Sequence, residues 1–214
     1  RKLALLPIPE RQALMREMVF AIRPEVPPDT RTLYSDIGFL TLGFLLEELT
    51  GLDLDVAVER FAWRRLGVVD SFYRRVDVLP EKARLPDVAA TENCPWRGSL
   101  IQGQVHDDNT WAMGGYAGHA GVFSTTPDLL LFSKKLLNGF FSFKVMKALW
   151  SRAPLPVGCT RTLGWDTSSG DQSTLGPSYS TASVGHLGFT GTSLWIDPEK
   201  HVGVVLLTNR VHPT

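Results

Sequence analysis

Gly185-His186-Leu187-Gly188-Phe189-Thr190-Gly191-Thr192-Ser193-Leu194-Trp195-Ile196-Asp197, then Pro198-Glu199-Lys200, then His201-Val202-Gly203-Val204-Val205-Leu206-Leu207-Thr208, is the stretch on which the fold turns. From Phe189 to Asp197 and from His201 to Thr208 the chain is rich in β-branched, aromatic and aliphatic residues, and turn formers separate the two runs. An antiparallel hairpin is predicted. In its second strand Val202, Val204 and Leu206 face one side, and Gly203, Val205 and Leu207 face the other. Both sides are apolar, so both need cover. The expected class is therefore α+β, an antiparallel β-sheet flanked by helices on both faces.

The helices for those layers lie upstream. Glu10 to Ile22 reads as a short helix, stopped by Pro24, Pro27 and Pro28, which fix φ and remove amide donors. From Ser35 to Thr50 apolar residues recur at helical spacing, with Ser35 or Asp36 able to cap the start and Gly51 suited to the left-handed position past the end. That segment is apolar almost all round, which predicts deep burial. A further helix is expected from Asp53 or Asp55 to about Arg65, before Gly67. Another follows Thr126-Pro127-Asp128 and ends at Asn138-Gly139. Between these two runs a long Gly-, Pro- and polar-rich stretch, including residues 96–98 and 103–124, has the length and composition of a functional loop region. With no repeat, low-complexity tract or linker, residues 1–214 read as one domain, helical and loop-rich over about 35–150 and closed by the hairpin at about 186–210.

Composition narrows the function. Lys plus Arg equals Asp plus Glu at 22 each, so no net field draws the protein to nucleic acid. The longest apolar run, Ile37 to Leu46, is about half the roughly 20 residues a bilayer span needs, and residues 1–20 lack the order of a signal peptide. No membrane segment is expected. Cys94 and Cys159 stand apart, without zinc spacing, and do not establish a disulfide. The sequence sets no oligomeric state.

Common catalytic signatures are absent: there is no GxSxG, HExxH or GxxxxGK[ST]. His106, Asp107, Asp108 and His119 include metal-ligand types, but acidic residues in a Gly-rich loop ordinarily bond backbone amides and build turns, so neither a metal nor any other cofactor is expected. Ser193 is explained by alternation along its strand.

Two sites carry more information together. Tyr34-Ser35-Asp36 opens the apolar helix, and Gly185 to Gly191 leads into the hairpin. Here the sequence resembles the serine β-lactamase and penicillin-binding family, particularly its class C-like branch of β-lactamases, D,D-peptidases, aminopeptidases and esterases. Pro28 through Gly51 is similar to the family's PPGT…YSNxGYxLLG…G region. Gly118-His119-Ala120-Gly121-Val122-Phe123-Ser124-Thr125, followed by Asp128-Leu129, is similar to its AGGLxST…DL loop and helix, and Leu163-Gly164-Trp165 fits as well.

The resemblance implies that Tyr34 is the Tyr of a YxN motif, with Asp36 where Asn is usual, and that His186-Leu187-Gly188 takes the place of KTG on the strand lining the site. Two departures matter: His replaces Lys, and Leu187 removes a hydroxyl that often contacts a substrate carboxylate. On this reading Tyr34 and His186 are catalytic, while Asp36, Gly188, Phe189 and Thr190 bind substrate, the Phe189 amide from an edge strand joining the serine amide as oxyanion hole. A free phenol titrates at about 10, so a tyrosine base needs a cationic neighbour near neutral pH. A free imidazole changes charge near about pH 6.5, so the contribution of His186 should depend on pH.

A serine nucleophile in this family is activated within SxxK. No Ser-x-x-Lys occurs in these 214 residues. The resemblance places it upstream of the Tyr motif, which implies that the nucleophile lies outside this chain, that the fold is incomplete on its N-terminal side and stops early, and that the chain alone is inactive. The implied activity is hydrolysis, through an acyl-enzyme, of an ester, amide or D-amino acid/peptidoglycan-like substrate, with the bacterial cell wall as setting. The competing reading is a β-lactamase-like domain that binds or senses without catalysis.

Overall fold

A computed structural model of the chain describes residues 5–77, 87–169 and 175–213. Helix α1 (Ile8–Ala21) is followed by an exposed proline-rich segment. Helix α2 (Asp36–Thr50) starts where the sequence predicts: the Ser35 hydroxyl accepts the Ile37 amide at 3.2 Å, and Gly51 ends the helix at φ 65°. The next helical run is three pieces in series, α3 (Leu54–Val58), a π-helical turn (Glu59–Trp63) and α4 (Arg64–Leu66), closed by Gly67 at φ 77°.

The long middle region is more ordered than its composition implies, although its residues 78–86 lie outside those described. Strand β1 (Phe72–Tyr73) pairs with β4 (Val122–Phe123), β2 (Ala90–Cys94) forms a hairpin with β3 (Ser99–Gln102), and α5 (Asp108–Ala112) follows. Helices α6 (Thr126–Leu137) and α7 (Phe143–Trp150) come next. The main sheet has order β5-β6-β7-β8, with β5 (Asp166–Thr167), β6 (Val184–Gly188), β7 (Thr192–Asp197) and β8 (Val202–Leu207), antiparallel throughout.

The terminal hairpin is present, but its upstream partner is corrected. The run expected as one strand from Phe189 begins as a turn, Phe189–Gly191, and the residues before it form the separate strand β6. Gly191 at φ 100° allows that turn, which the Gly191 amide closes on Gly188 O at 3.0 Å.

One sheet face is packed. Leu136 of α6, Met146 of α7, Val184 of β6 and Ile196 of β7 are buried together, with Phe132, Trp150 and Trp165 around them. Each is worth roughly 1.5–3 kcal/mol of hydrophobic stabilisation. The approach is close because β8 offers Gly203 to α6: a Cβ there would lie 2.8 Å from the Ser133 Cβ. On the other face Val202, Val204, Leu206 and Leu187 are exposed. A second core joins Met15 and Val19 of α1, Leu40 and Phe44 of α2, and Met113 and Ala117 beyond α5.

Helix α2 also departs from its reading. Leu40, Gly43 and Phe44 are buried, whereas Leu42, Leu45, Leu46 and Leu49 are exposed, so only one of its apolar faces has a partner among the described residues. Cys94 and Cys159 are both free. No helix among the described residues is long and apolar enough to cross a membrane.

Two buried carboxylates tie these layers. Asp128, in the first turn of α6, accepts the Asp70 amide at 2.7 Å, the Ser71 hydroxyl at 2.8 Å and the Val69 amide at 3.3 Å. Asp197, at the end of β7 and 1% exposed, accepts the Ser180 amide and hydroxyl and the Glu199 and Lys200 amides, all within 3.0 Å. Burial alone would raise the Asp197 pKa, but the amide and hydroxyl donors outweigh it and bring it down to about 2. A lowered folded-state pKa stabilises above the unfolded value of about 3.9 and loses that contribution as pH falls through the folded one. Denaturant unfolding should therefore show a loss of roughly 2 kcal/mol between about pH 4 and pH 2 that Asp197→Asn removes.

Candidate active site

The two sequence-predicted catalytic side chains come from opposite ends of the chain and meet. Tyr34 sits just ahead of α2, 58% exposed, and its ring centroid lies 5.8 Å from that of His186, the planes tilted by 36°. Each is positioned by backbone. The Ser35 cap fixes the chain as it enters α2, and α2 is held against the Gly118 loop: a Cβ on Gly118 would fall 1.9 Å from Phe39 O, so only glycine allows this approach.

His186 is set by β6. Its neighbour Val184 is fully buried opposite Ile196, and Gly185 lies under the Trp195 ring. Strand β5 pairs only with Val184 and Gly185, so the outer edge of β6 from His186 to Gly188 has no strand beside it among the described residues. The His186 ring is oriented locally. A carbonyl can only accept, so in the 2.7 Å contact with Leu187 O the Nδ1 carries the hydrogen. Nε2 is then the ring atom left to act: a lone-pair acceptor when neutral, a donor when protonated.

The remaining predicted residues divide. Asp36 opens α2, and its side chain makes no hydrogen bond or ion pair among the described residues. Gly188 pairs with Thr192, and a Cβ there would meet the Thr192 hydroxyl at 2.1 Å. Phe189, expected on an edge strand, instead occupies the turn just past the last paired residue of β6, with its amide outside the ladder. Its ring is 71% exposed and stacked on His106 at 5.5 Å, and Arg210 Nε donates to its carbonyl at 3.2 Å. Thr190 O accepts the Arg210 amide at 3.1 Å. Ser193 pairs with Leu187, which places it on the face opposite His186.

Sequence reasoning missed the basic residues around the pair. The Arg161 guanidinium carbon lies 5.0 Å from the Tyr34 ring centroid, and Arg210 lies 5.6 Å from that of Phe189. No local motif marks either, since both contacts are made through the fold. His106, weighed as a metal ligand, pairs with Glu92 at 3.0 Å while stacking on Phe189. Asp107 builds the turn expected of it, capping α5 through the Thr110 amide at 2.7 Å and accepting His119 Nε2 at 3.0 Å. Burial would raise the Asp107 pKa, but the His119 and Thr110 hydrogen bonds take it down to about 2. A separate cleft of about 320 Å³ is lined by Gln12, Arg16, Glu47, Asp53 and Tyr116, none of them from the predicted site.

An antiparallel sheet with a helical layer packed on it is the architecture of the β-lactamase/transpeptidase fold. The Beta-lactamase family model matches residues 3–214, and the chain belongs to that family. A protein of Salmonella gallinarum named as a D-alanyl-D-alanine carboxypeptidase is 34% identical over 217 residues, covering 92% of this chain and 49% of that protein. The chain thus spans about half the length of the curated relatives it matches. Among solved structures, a penicillin-binding protein from Bacillus halodurans aligns with a TM-score of 0.67 at 17% identity, over 96% of this chain and 59% of its own. The octameric penicillin-binding protein homologue from Pyrococcus abyssi gives 0.65 at 22%, over 95% and 44%. At such identities these two structures speak for the fold alone.

A Cβ on Gly185 would lie 2.2 Å from the Trp195 ring and 2.4 Å from Leu194 O. Gly185→Ala should therefore force β6 away from β7, lowering stability by about 1–3 kcal/mol in denaturant unfolding and shifting the His186 ring resonances. A variant as stable as the parent, with unmoved resonances, would show that Gly185 does not set the strand.

Proposed function

We propose that the protein to which these residues belong is an acyl-transfer serine hydrolase that acts on an ester, an amide or a D-amino acid/peptidoglycan-like substrate through a covalent acyl-enzyme. The observation that carries this reading is the meeting of Tyr34 and His186, 5.8 Å apart between ring centroids, at a strand edge with space beside it.

A serine hydroxyl supplied by a Ser-x-x-Lys segment, which these 214 residues do not contain, would attack the substrate carbonyl. Tyr34 would accept the hydroxyl proton and return it to the leaving group, and water would then release the acyl group by the same path in reverse. The Phe189 amide, outside the sheet ladder, would donate to the developing oxyanion beside the amide of the serine. His186, with Nδ1 committed to Leu187 O, would present Nε2 to the Tyr34 hydroxyl or to the substrate. Asp36, unpaired among the described residues, would hold the lysine of that segment. The name of the Salmonella relative supports a peptidase-like substrate, a small molecule or a peptidoglycan stem.

The test is to incubate the full-length protein with a fluorescent penicillin and with a chromogenic short-chain ester across the range from about pH 6 to 9, which brackets neutrality. Covalent labelling or ester turnover is expected. Tyr34→Phe should cut turnover by roughly 10²- to 10⁴-fold. His186→Ala should cut it by at least about tenfold while leaving the circular dichroism spectrum unchanged. Absence of both labelling and turnover would overturn the hydrolase reading in favour of a domain that binds without catalysis.

A further inference from the structure

The turn Phe189–Gly191 is gripped by the segment that follows β8. Arg210 Nε donates to Phe189 O at 3.2 Å, the Arg210 amide to Thr190 O at 3.1 Å and the Thr208 amide to Gly191 O at 3.2 Å. These bonds hold carbonyls. The Phe189 amide lies ahead of them, outside the sheet ladder, and its direction depends on a second constraint.

That constraint acts on the ring. Phe189 is 71% exposed, so little restrains its side chain besides the stack on His106 and the Arg210 guanidinium, 5.6 Å from its centroid. The Phe189 and His106 rings lie 5.5 Å apart with their planes at 25°. His106 is braced at both its ring and its backbone. A carboxylate can only accept, so Nε2 donates to Glu92 of β2 at 3.0 Å. The buried Arg97 side chain donates to His106 O at 2.9 Å, and also to Val105 O and Asp108 Oδ1. Strand β2 is tied back to the segment that grips the turn: the Asn93 amide donates to Pro213 O at 2.7 Å, and Asn209 Nδ2 to Ala90 O at 3.0 Å. Turn, terminal segment, β2 and the His106 loop thus close into one frame. With its carbonyl and its ring both held on one tetrahedral Cα, Phe189 has a single direction left for its amide.

We propose that His106, oriented by Glu92, is a positioning residue that aims the Phe189 amide at the substrate oxyanion. The kinetic consequence rests on the hydrolase reading, whereas the hold on Phe189 stands without it. A donor aimed at charge that develops only in the transition state acts on kcat more than on KM, and a displacement of about 1 Å at such a donor costs roughly 10²-fold in rate.

The test uses the full-length protein and a chromogenic short-chain ester. In His106→Ala kcat should fall roughly 10- to 100-fold with KM within about threefold of the parent. His106→Phe keeps a ring to stack on Phe189 and should stay within about fivefold of the parent kcat. Phe189→Ala keeps the amide but removes the ring that His106 holds, so it should reproduce the loss, and adding His106→Ala to it should cost no more than about twofold further. A loss in His106→Phe equal to that in His106→Ala, a rise in KM in place of the fall in kcat, or losses that multiply in the double variant would overturn the proposal. A second arm requires no turnover: the protein is labelled with 15N-phenylalanine and backbone order parameters are measured. The Phe189 amide, expected at about 0.85 in the parent, should drop toward about 0.6 in His106→Ala while Phe44 and Phe132 hold their values. A Phe189 order parameter unchanged by the substitution would overturn the proposal. A parent that turns over no ester but shows the Phe189 drop would sink the hydrolase reading and leave the positioning of Phe189 in place.

Discussion

The buried carboxylate of Asp128 is the constraint on which the geometry depends. It gathers the Val69 and Asp70 amides and the Ser71 hydroxyl onto the first turn of α6, fastening the end of the α3–α4 run to the helix that lies on the main sheet. One turn further along, α6 meets β8 where Gly203 leaves room for Ser133, and Leu136 joins Val184 and Ile196 in the sheet core. Breaking such a buried, multiply bonded acid costs several kcal/mol because the freed amides cannot all regain partners. Helical layer and sheet are thus held in one relation, and Tyr34 and His186 inherit it.

The site follows from two close backbone approaches. Gly118 lets its loop touch the Phe39 carbonyl of α2, and Gly185 lets Trp195 lie on β6. Neither contact survives a side chain, so the positions of the tyrosine and the histidine are set by sterics rather than by polar pairing. Around them, among the described residues, stand groups without a hydrogen-bond partner: Nε2 of His186, the hydroxyl of Tyr34 and the amide of Phe189.

Much of this was legible in the chain. Ser35 and Gly51 mark both ends of α2, Thr126-Pro127-Asp128 marks the start of α6, and Pro198-Glu199-Lys200 divides the last two strands, since capping and turn chemistry are local. The pairing of Tyr34 with His186 was legible only through family resemblance, because no local rule joins residues so far apart. Strand β6 was legible through resemblance alone, as the strand carrying His186-Leu187-Gly188, because Gly185 and Gly188 weaken its local signal, and the reason for those glycines, Trp195 and Thr192 pressing on the backbone, exists only in three dimensions. Arg161 was missed for the same reason. The periodicity of α2 gave the helix correctly but not its burial, since the apolar pattern cannot say which faces find partners.

The most direct measurement is a crystal structure of the full-length protein covalently labelled at its nucleophile by a fluorophosphonate. The account predicts the labelled serine within hydrogen-bonding reach of the Tyr34 hydroxyl, at about 3 Å, with His186 on the far side of that tyrosine and the phosphonyl oxygen on the Phe189 amide. A labelled serine remote from Tyr34, or Tyr34 and His186 separated onto different surfaces, would contradict it.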